Sequence, residues 1–134
     1  MARTKRVTTQ SRALHILVVD DDVYVLGLVT ETLQTEGYEV ETALDGQHAL
    51  QKISHGNRPY DLIIVDARMP HLDGWGFIVQ ARAGGYKGKI IVFSAYLDED
   101  ERLRYRHLEI DRIIEKPPKA GELTDVVREM AAAH

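Results

Sequence analysis

The sequence predicts an α/β fold in which a doubly wound parallel sheet of five strands alternates with five helices, a (βα)5 arrangement. Five short apolar runs recur at intervals of about 22 to 28 residues, which is room for one strand and one helix each time. Between these runs, apolar residues recur at helical spacing. The connections are short, so each strand–helix–strand unit is expected to cross over with the right-handed geometry of parallel sheets.

The strands are predicted at the apolar runs themselves. The first, third and fourth runs are almost continuous Ile, Leu, Val and Phe, a composition typical of strands that helices cover on both faces. The five runs comprise residues 14–19, 38–43, 62–65, 90–93 and 113–114.

The helices are predicted from stripes spaced three or four residues apart. Gly37 is expected to end the first helix as its C-terminal cap. The segment 98–109 has only Leu103 and Leu108 among many charged side chains, so its helix is expected to be weakly anchored. The other four stripes consist of Leu26, Val29 and Leu33; Ala49, Leu50 and Ile53; Phe77, Ile78 and Ala81; and Leu123, Val126, Val127 and Met130.

Composition excludes several classes of protein. The 134 residues contain 44% apolar and 28% charged side chains, as in a globular chain, and no cysteine. A disulfide scaffold, a thiolate metal site and a cysteine nucleophile are therefore excluded. No apolar stretch approaches the ~20 residues of a membrane span, and no secretion signal is evident, so a cytoplasmic location is expected.

Charge divides the chain into two parts. Residues 1–13 carry four basic side chains and no acidic one, and are interpreted as a disordered basic leader. An untethered terminus is favoured over a docking arm for this leader. Residues 14–134, interpreted as one domain, carry thirteen basic and twenty-one acidic residues, a net charge of −8. Such a body repels phosphate backbones, so nucleic-acid binding is not expected.

Polar side chains follow four of the five predicted strands at the point where each strand ends. In an open α/β sheet, ligands bind outside the carboxyl ends of the strands, where the strand order reverses. If the order is 2-1-3-4-5, this crevice lies between strands 1 and 3. The residues concerned are Asp20, Asp21 and Asp22 after strand 1, Asp66 after strand 3, Ser94 after strand 4 and Lys116 after strand 5.

Carboxylates that meet in one crevice require a positive charge among them. Two carboxylates ~4 Å apart repel by roughly 4 kcal/mol at an effective dielectric constant of 20. Oxygen ligands without His or Cys favour a hard cation, and Mg²⁺ accepts one or two carboxylates, several waters and a phosphate oxygen. Lys116 would supply a second positive charge.

These groups match the requirements of phosphoryl transfer to an aspartate. Asp66 would attack phosphorus as the nucleophile, while Mg²⁺ and Lys116 neutralise the equatorial oxygens and Ser94 donates a hydrogen bond to one of them. The product, an aspartyl phosphate, suits a temporary signal.

The order and spacing of these motifs resemble the receiver domain of two-component response regulators over about residues 14–130. The resemblance implies the flavodoxin-like receiver fold, with strand order 2-1-3-4-5. The motifs are Asp20-Asp21; the run from Asp66 through Arg68, Met69, Pro70 and Asp73 to Gly74; Ser94-Ala95; and Lys116-Pro117.

The resemblance implies a role for each site residue. Asp66 would be the phosphoacceptor, and Asp21 and Asp66 would bind Mg²⁺ together with the main-chain carbonyl of Arg68. Asp20 would act largely through water, and Ser94 and Lys116 would respond to the phosphoryl group. Asp22 has no such role and is interpreted as a helix N-cap or first-turn acid.

The resemblance also implies a function and partners. A sensor histidine kinase or a histidine phosphotransfer protein would donate the phosphoryl group, and the modified domain would signal to a downstream effector protein. It would be a signalling phosphoacceptor that catalyses only its own phosphorylation and dephosphorylation. No nucleic acid or membrane is expected as a partner.

Several positions depart from the family pattern. Ile113 stands where an aromatic switch residue is common, Pro118 replaces an aromatic residue after Lys-Pro, and residues 107–110 replace a Gly-Ala turn. The usual dimerisation through the face formed by helix 4, strand 5 and helix 5 therefore does not carry over, and a homodimer stays an open alternative. The Lys116-Pro117 bond is expected to be cis, as is typical of the family.

Three alternatives are weighed against this interpretation. A pseudo-receiver acting only as a protein-interaction module should lack the acceptor, the lysine or the hydroxyl, and none is missing. A haloacid-dehalogenase-type phosphatase usually has a second acid two residues after the nucleophile, where this chain has Arg68. A flavodoxin-like flavin carrier needs a hydroxyl-rich phosphate loop after strand 1, where three aspartates stand instead.

Overall fold

The computed structural model describes residues 13–132, in which five parallel strands alternate with five helices. The sheet order is β2-β1-β3-β4-β5, so the predicted α/β fold and its strand order are confirmed. The predicted leader, apart from Ala13, lies outside the described residues. The elements are β1 (His15–Val19), α1 (Val23–Thr35), β2 (Glu39–Ala43), α2 (Gly46–His55), β3 (Leu62–Val65), α3 (Gly74–Ala83), β4 (Lys89–Ser94), α4 (Glu99–Arg106), β5 (Arg112–Glu115) and α5 (Glu122–Ala132).

The sheet separates two apolar layers. Alternate residues of each central strand face opposite sides, so Leu17 and Val19 pack with α2 and α3, whereas Ile16 and Val18 pack with α1 and α5. Every residue of β1 and β3 is buried for this reason. Burying one such aliphatic side chain stabilises the fold by about 1.5–3 kcal/mol, which explains why His15, at the start of β1, is the one polar residue of these two strands.

Helix α4 differs from the expectation that Leu103 anchors it. Leu103 is 54% exposed, and the buried side chain is Tyr105, with Leu108 partly buried beside it. Tyr105 faces the sheet and Leu108 follows just after the helix ends, whereas Leu103, two residues before Tyr105, lies on the opposite side of the helix. The choice of Leu103 was wrong because the hydroxyl of a tyrosine does not prevent its ring from serving as the core residue.

Helix caps set where the helices begin at the carboxyl edge of the sheet. Asp22 caps α1 by accepting hydrogen bonds from the main-chain N–H groups of Tyr24 and Val25, which confirms its predicted capping role. Gly37 follows the end of α1 with a φ of 95°, a conformation that suits glycine, so its predicted role at the helix C-terminus is also confirmed.

No helix in residues 13–132 is long and apolar enough to cross a membrane.

A polar cluster closes the amino end of the sheet, in which His15 and Tyr60 are buried and Glu41 is exposed. The His15 ring, 6% exposed, stacks on Tyr60 and places Nε2 2.8 Å from Glu41 Oε2 and Nδ1 3.1 Å from the Pro59 carbonyl oxygen. The Tyr60 hydroxyl donates to Glu41 Oε1 at 2.9 Å. Burial raises the pKa of Glu41, but the hydrogen bonds from His15 and Tyr60 outweigh it, so this pKa lies below its ordinary value.

We expect Glu41→Gln to destabilise the fold by about 0.5–1 kcal/mol at neutral pH, because a charge-assisted hydrogen bond, weakened by solvent at a half-exposed carboxylate, is replaced by a weaker one. A carboxylate whose pKa the fold lowers contributes stability above its unfolded-state pKa and loses it as the pH falls through the folded-state pKa. The difference in the free energy of unfolding between Glu41→Gln and the wild type should therefore be the same at pH 7 and pH 5. It should become smaller only below about pH 4.5. Urea denaturation at several pH values measures it.

The matched control for this experiment is Glu31→Gln, since Glu31 is an exposed acid on α1. It should change the free energy of unfolding by less than about 0.5 kcal/mol at every pH. Equal stability of Glu41→Gln and wild type at pH 7 would contradict the proposed contribution of the cluster.

Candidate functional site

The predicted site residues lie side by side because of the strand register. Val19 pairs with Val65 across β1 and β3, so Asp20 and Asp66, the next residues, end neighbouring strands at the same height. Ser94 is the last residue of β4 and pairs with Glu115, which places Lys116 directly beyond it. Residues that are distant in sequence thus meet at one edge of the sheet.

An acidic cluster forms at this edge. One carboxylate oxygen from each of Asp20, Asp21 and Asp66 lies within 4.8 Å of the other two. Asp20 and Asp66 are 2% and 8% exposed, whereas Asp21 faces solvent and lines a cleft of about 390 Å³ with Arg68. An all-oxygen donor set with one open side fits a hard divalent cation that retains water ligands, as Mg²⁺ does.

Lys116 partly offsets the charge of this cluster. Its Nζ donates to Asp20 Oδ2 at 2.6 Å and to Asp66 Oδ2 at 3.4 Å. Burial lowers the pKa of Lys116, but the hydrogen bond to Asp20 and the charge of Asp66 raise it by more. The pKa of Lys116 therefore lies above its ordinary value, and the ammonium form is favoured. Burial, reinforced by repulsion from Asp66, raises the pKa of Asp20 despite the lysine. Three carboxylates and one ammonium leave a net charge of −2, which one divalent cation would neutralise.

Both carboxylate oxygens of Asp66 have hydrogen-bond partners. Oδ1 accepts from the Ser94 hydroxyl at 3.0 Å and from the main-chain N–H of Arg68 at 3.2 Å, while Oδ2 faces Lys116. Ser94 is 1% exposed, so its hydroxyl is directed at the site and away from bulk water. These contacts fix the orientation of the Asp66 carboxylate.

Gly74 allows the loop that follows β3 to fold close to Asp66. A Cβ atom at position 74 would lie 2.5 Å from the Asp66 carbonyl oxygen and 2.8 Å from the Ala67 Cα, closer than van der Waals contact permits. The Gly74 N–H also donates to the Ala67 carbonyl at 2.9 Å. Sequence reasoning did not assign this packing role. A glycine in the first turn of a helix, directly after the capping Asp73, is the signal that indicates it.

Arg68 has two distinct parts in the structure. Its predicted contribution to the metal site is the main-chain carbonyl, and coordination by that oxygen stays a prediction. The guanidinium donates to the Tyr96 carbonyl at 2.8 Å and to Glu101 Oε1 at 2.9 Å, two contacts that sequence reasoning did not predict. The Lys116-Pro117 peptide is cis, as expected.

The fold and this group of residues define a signalling receiver domain. Residues 16–128 match the family model described as the response regulator receiver domain, and the chain belongs to that family. The family is a signalling phosphoacceptor domain of two-component systems rather than a classical enzyme. The predicted family and its flavodoxin-like receiver fold are thereby confirmed.

Individual relatives agree with this assignment. The chain is 37% identical over 113 residues to the transcriptional regulatory protein PrrA of Mycobacterium tuberculosis, covering 84% of this chain and 48% of PrrA. It is 31% identical over 119 residues to the hybrid signal transduction histidine kinase L of Dictyostelium discoideum, covering 84% of this chain and 7% of the kinase. The chain thus spans about half the length of PrrA and far less of the hybrid kinase.

Two solved structures share the fold. The chemotaxis protein CheY4 of Vibrio cholerae superposes with a TM-score of 0.81 at 28% identity, covering 88% of this chain and 98% of that one. The response regulator TrrA of Thermotoga maritima, solved in complex with Mg²⁺-BeF, has a TM-score of 0.77 at 36% identity, covering 87% of this chain and 98% of that one.

We expect Mg²⁺ to stabilise the wild type and Asp21→Asn to remove most of that gain, because the exposed member of the acidic cluster is lost. At a magnesium concentration about tenfold above Kd, mass action predicts a gain of about 1.4 kcal/mol. In EDTA, Asp21→Asn should be at least as stable as the wild type, since one of three repelling carboxylates has lost its charge. Thermal unfolding with and without Mg²⁺ measures both effects.

Asp22→Asn is the matched control, because asparagine caps a helix as well as aspartate does. It removes one negative charge at the position next to Asp21, from a residue outside the acidic cluster. This variant should keep the magnesium gain of the wild type. An equal gain in Asp21→Asn would argue against the assigned cation site.

Proposed function

We propose that this chain is a phosphoacceptor of a two-component or phosphorelay system. Asp66 receives a phosphoryl group from a sensor histidine kinase or histidine phosphotransfer protein in a Mg²⁺-dependent reaction, and the domain then signals to a protein partner by conformational change. The observation that carries this proposal is the Asp66 carboxylate, which is held between Ser94 and Lys116 beside two further aspartates.

The proposed chemistry is an in-line displacement at phosphorus. A carboxylate oxygen of Asp66 forms the new O–P bond while the N–P bond to the donor imidazole breaks and its electron pair returns to the nitrogen. The Lys116 ammonium and the Ser94 hydroxyl are placed to donate to phosphoryl oxygens, where negative charge is greatest. Asp20, Asp21 and Asp66 would hold Mg²⁺, which neutralises phosphoryl oxygens when it is bound.

The alternatives fit the contacts less well. A pseudo-receiver has no need for an acceptor carboxylate whose two oxygens are both oriented, nor for a buried hydroxyl directed at it. A haloacid-dehalogenase-type phosphatase would use an acid at position 68, where the Arg68 guanidinium instead pairs with Glu101. A flavin phosphate would be repelled by the acidic cluster at the end of β1.

The surface beside the site is apolar, and we propose that the protein carrying the phosphohistidine contacts it. On α1, Val23, Tyr24 and Leu28 are 59%, 86% and 66% exposed. Leu28 also lines a groove of about 570 Å³ whose far wall includes Lys116 and the prolines after it. A donor imidazole that reaches Asp66 brings its own helix against this groove, and a helix with an apolar face matches these side chains.

Incubation with acetyl phosphate and Mg²⁺ tests the acceptor chemistry. Intact-mass measurement should show a gain of about 80 Da, one phosphoryl group, in the wild type and none in Asp66→Asn. EDTA should abolish the gain, because the uncompensated carboxylates repel an incoming anion. Asp45→Asn, which keeps an N-cap at the same edge of the sheet, is the control and should gain the same mass as the wild type. A wild type that remains unmodified would end the proposal.

Leu28→Asp tests the donor surface. We expect phosphoryl transfer from a histidine phosphotransfer protein that modifies the wild type to slow at least about tenfold, because a carboxylate in an apolar contact loses its hydration. Modification by acetyl phosphate should slow far less, since a small donor needs no docking surface. Leu103→Asp, at a similarly exposed leucine of α4, is the control and should behave as the wild type. Equal loss with both donors would show that Leu28 acts on the fold.

A further inference from the structure

The loop after β3 is tied to the start of α4 through one side chain. The Arg68 Nη2 donates to the Tyr96 carbonyl at 2.8 Å and to Glu101 Oε1 at 2.9 Å. We call these three groups the acceptor clasp: the Arg68 guanidinium, the Tyr96 carbonyl and the Glu101 carboxylate. It joins a residue two positions after Asp66 to the connection between β4 and α4.

The Glu101 carboxylate is fixed in place by the helix that carries it. Its Oε1 also accepts from the Asp98 N–H at 3.1 Å, while the Asp98 carboxylate accepts from the Glu101 N–H at 2.8 Å, which is a capping box. The hydrogen bonds from Arg68 and from the Asp98 N–H lower the pKa of Glu101, so it is ionised at neutral pH. Arg68 therefore binds a carboxylate that is already oriented before the contact forms.

The clasp and the acceptor carboxylate belong to one hydrogen-bond network. The main-chain N–H of Arg68 and the hydroxyl of Ser94 donate to the same oxygen, Asp66 Oδ1. Tyr96 lies two residues after Ser94, and its carbonyl accepts from the Arg68 guanidinium. Arg68 therefore contacts Asp66 through its main chain and the segment after Ser94 through its side chain. Ala95 and Tyr96 are exposed, and this short connection has Leu97 as its buried residue. The clasp thus links the exposed part of the connection to the loop that carries Asp66.

We propose that Arg68 and Glu101 are positioning residues for phosphoryl transfer, acting through the Tyr96 carbonyl to hold Ser94 in place beside Asp66. The proposal rests on Asp66 being the phosphoacceptor. When a phosphoryl group joins Asp66, the Ser94 hydroxyl donates to a phosphoryl oxygen instead of Asp66 Oδ1. Because the clasp holds the connection after Ser94, Ser94 needs only a short movement to make this new hydrogen bond. An exposed ion pair contributes little to folding, so its loss acts on geometry more than on stability.

The experiment measures the rate of mass gain at several acetyl phosphate concentrations with Mg²⁺. We expect Arg68→Met and Glu101→Gln each to lower the maximal rate about three- to tenfold, with little change in the concentration that gives half the maximal rate. The double variant should be no slower than the slower single variant, because both substitutions break one contact. Arg68→Lys, which keeps the charge but not the planar guanidinium that carries Nη2, should be intermediate. Thermal unfolding checks that each variant is folded.

Glu99→Gln is the matched control, because it removes the same charge from the same helical turn outside the clasp. It should leave the rate unchanged. A rate for Glu101→Gln equal to that of Glu99→Gln would overturn the proposal. So would opposite effects of Arg68→Met and Glu101→Gln, which would indicate that charge acts directly on the anionic donor. A wild type that gains no mass would instead refute the proposed function, so the two failures are distinguishable.

Discussion

The excess of negative charge at the carboxyl edge of the sheet is the constraint on which the site depends. Asp20 and Asp66 are almost fully buried, and Lys116 is the cation that contacts both. Burial raises the pKa of Asp20 in spite of that lysine, so the cluster costs the fold stability. A bound divalent cation would relieve this cost, so cation binding at this edge would be coupled to the stability of the fold.

The parts of the molecule that the sequence predicted are those that strand geometry determines. β1 and β3 are buried on both faces, and apart from His15 at the start of β1 all of their residues are apolar. The polar residue directly after such a run must emerge at the carboxyl edge, because each strand rises about 3.3 Å per residue and its end is therefore well defined. Asp20 and Asp66 occupy that position, and Lys116 follows Glu115, the last residue of β5, so a one-dimensional pattern was sufficient to predict which side chains meet.

The contacts that the sequence did not predict depend on loop paths and exposed side chains. Arg68 and Glu101 are 33 residues apart and neither belongs to an apolar stripe, so no period indicates that they pair. Gly74 is required because a Cβ atom at this position would lie 2.5 Å from the Asp66 carbonyl oxygen, and only the course of the loop determines this close packing. Tyr105 was missed for a different reason, because an amphipathic ring can be core or surface at the same helical position.

The two ends of the sheet differ in how far the charge of their polar clusters is compensated. At the amino end, the Glu41 carboxylate accepts hydrogen bonds from His15 and Tyr60, and its pKa is lowered, so its negative charge is stabilised within the fold. At the carboxyl end, the charge of the acidic cluster exceeds what Lys116 can offset. A cluster whose charges are already compensated gains little from a ligand. The acidic cluster at the carboxyl end retains a net charge of −2, so binding a cation would lower its free energy. Both clusters contain carboxylates, and it is the uncompensated charge that distinguishes the one at the carboxyl end.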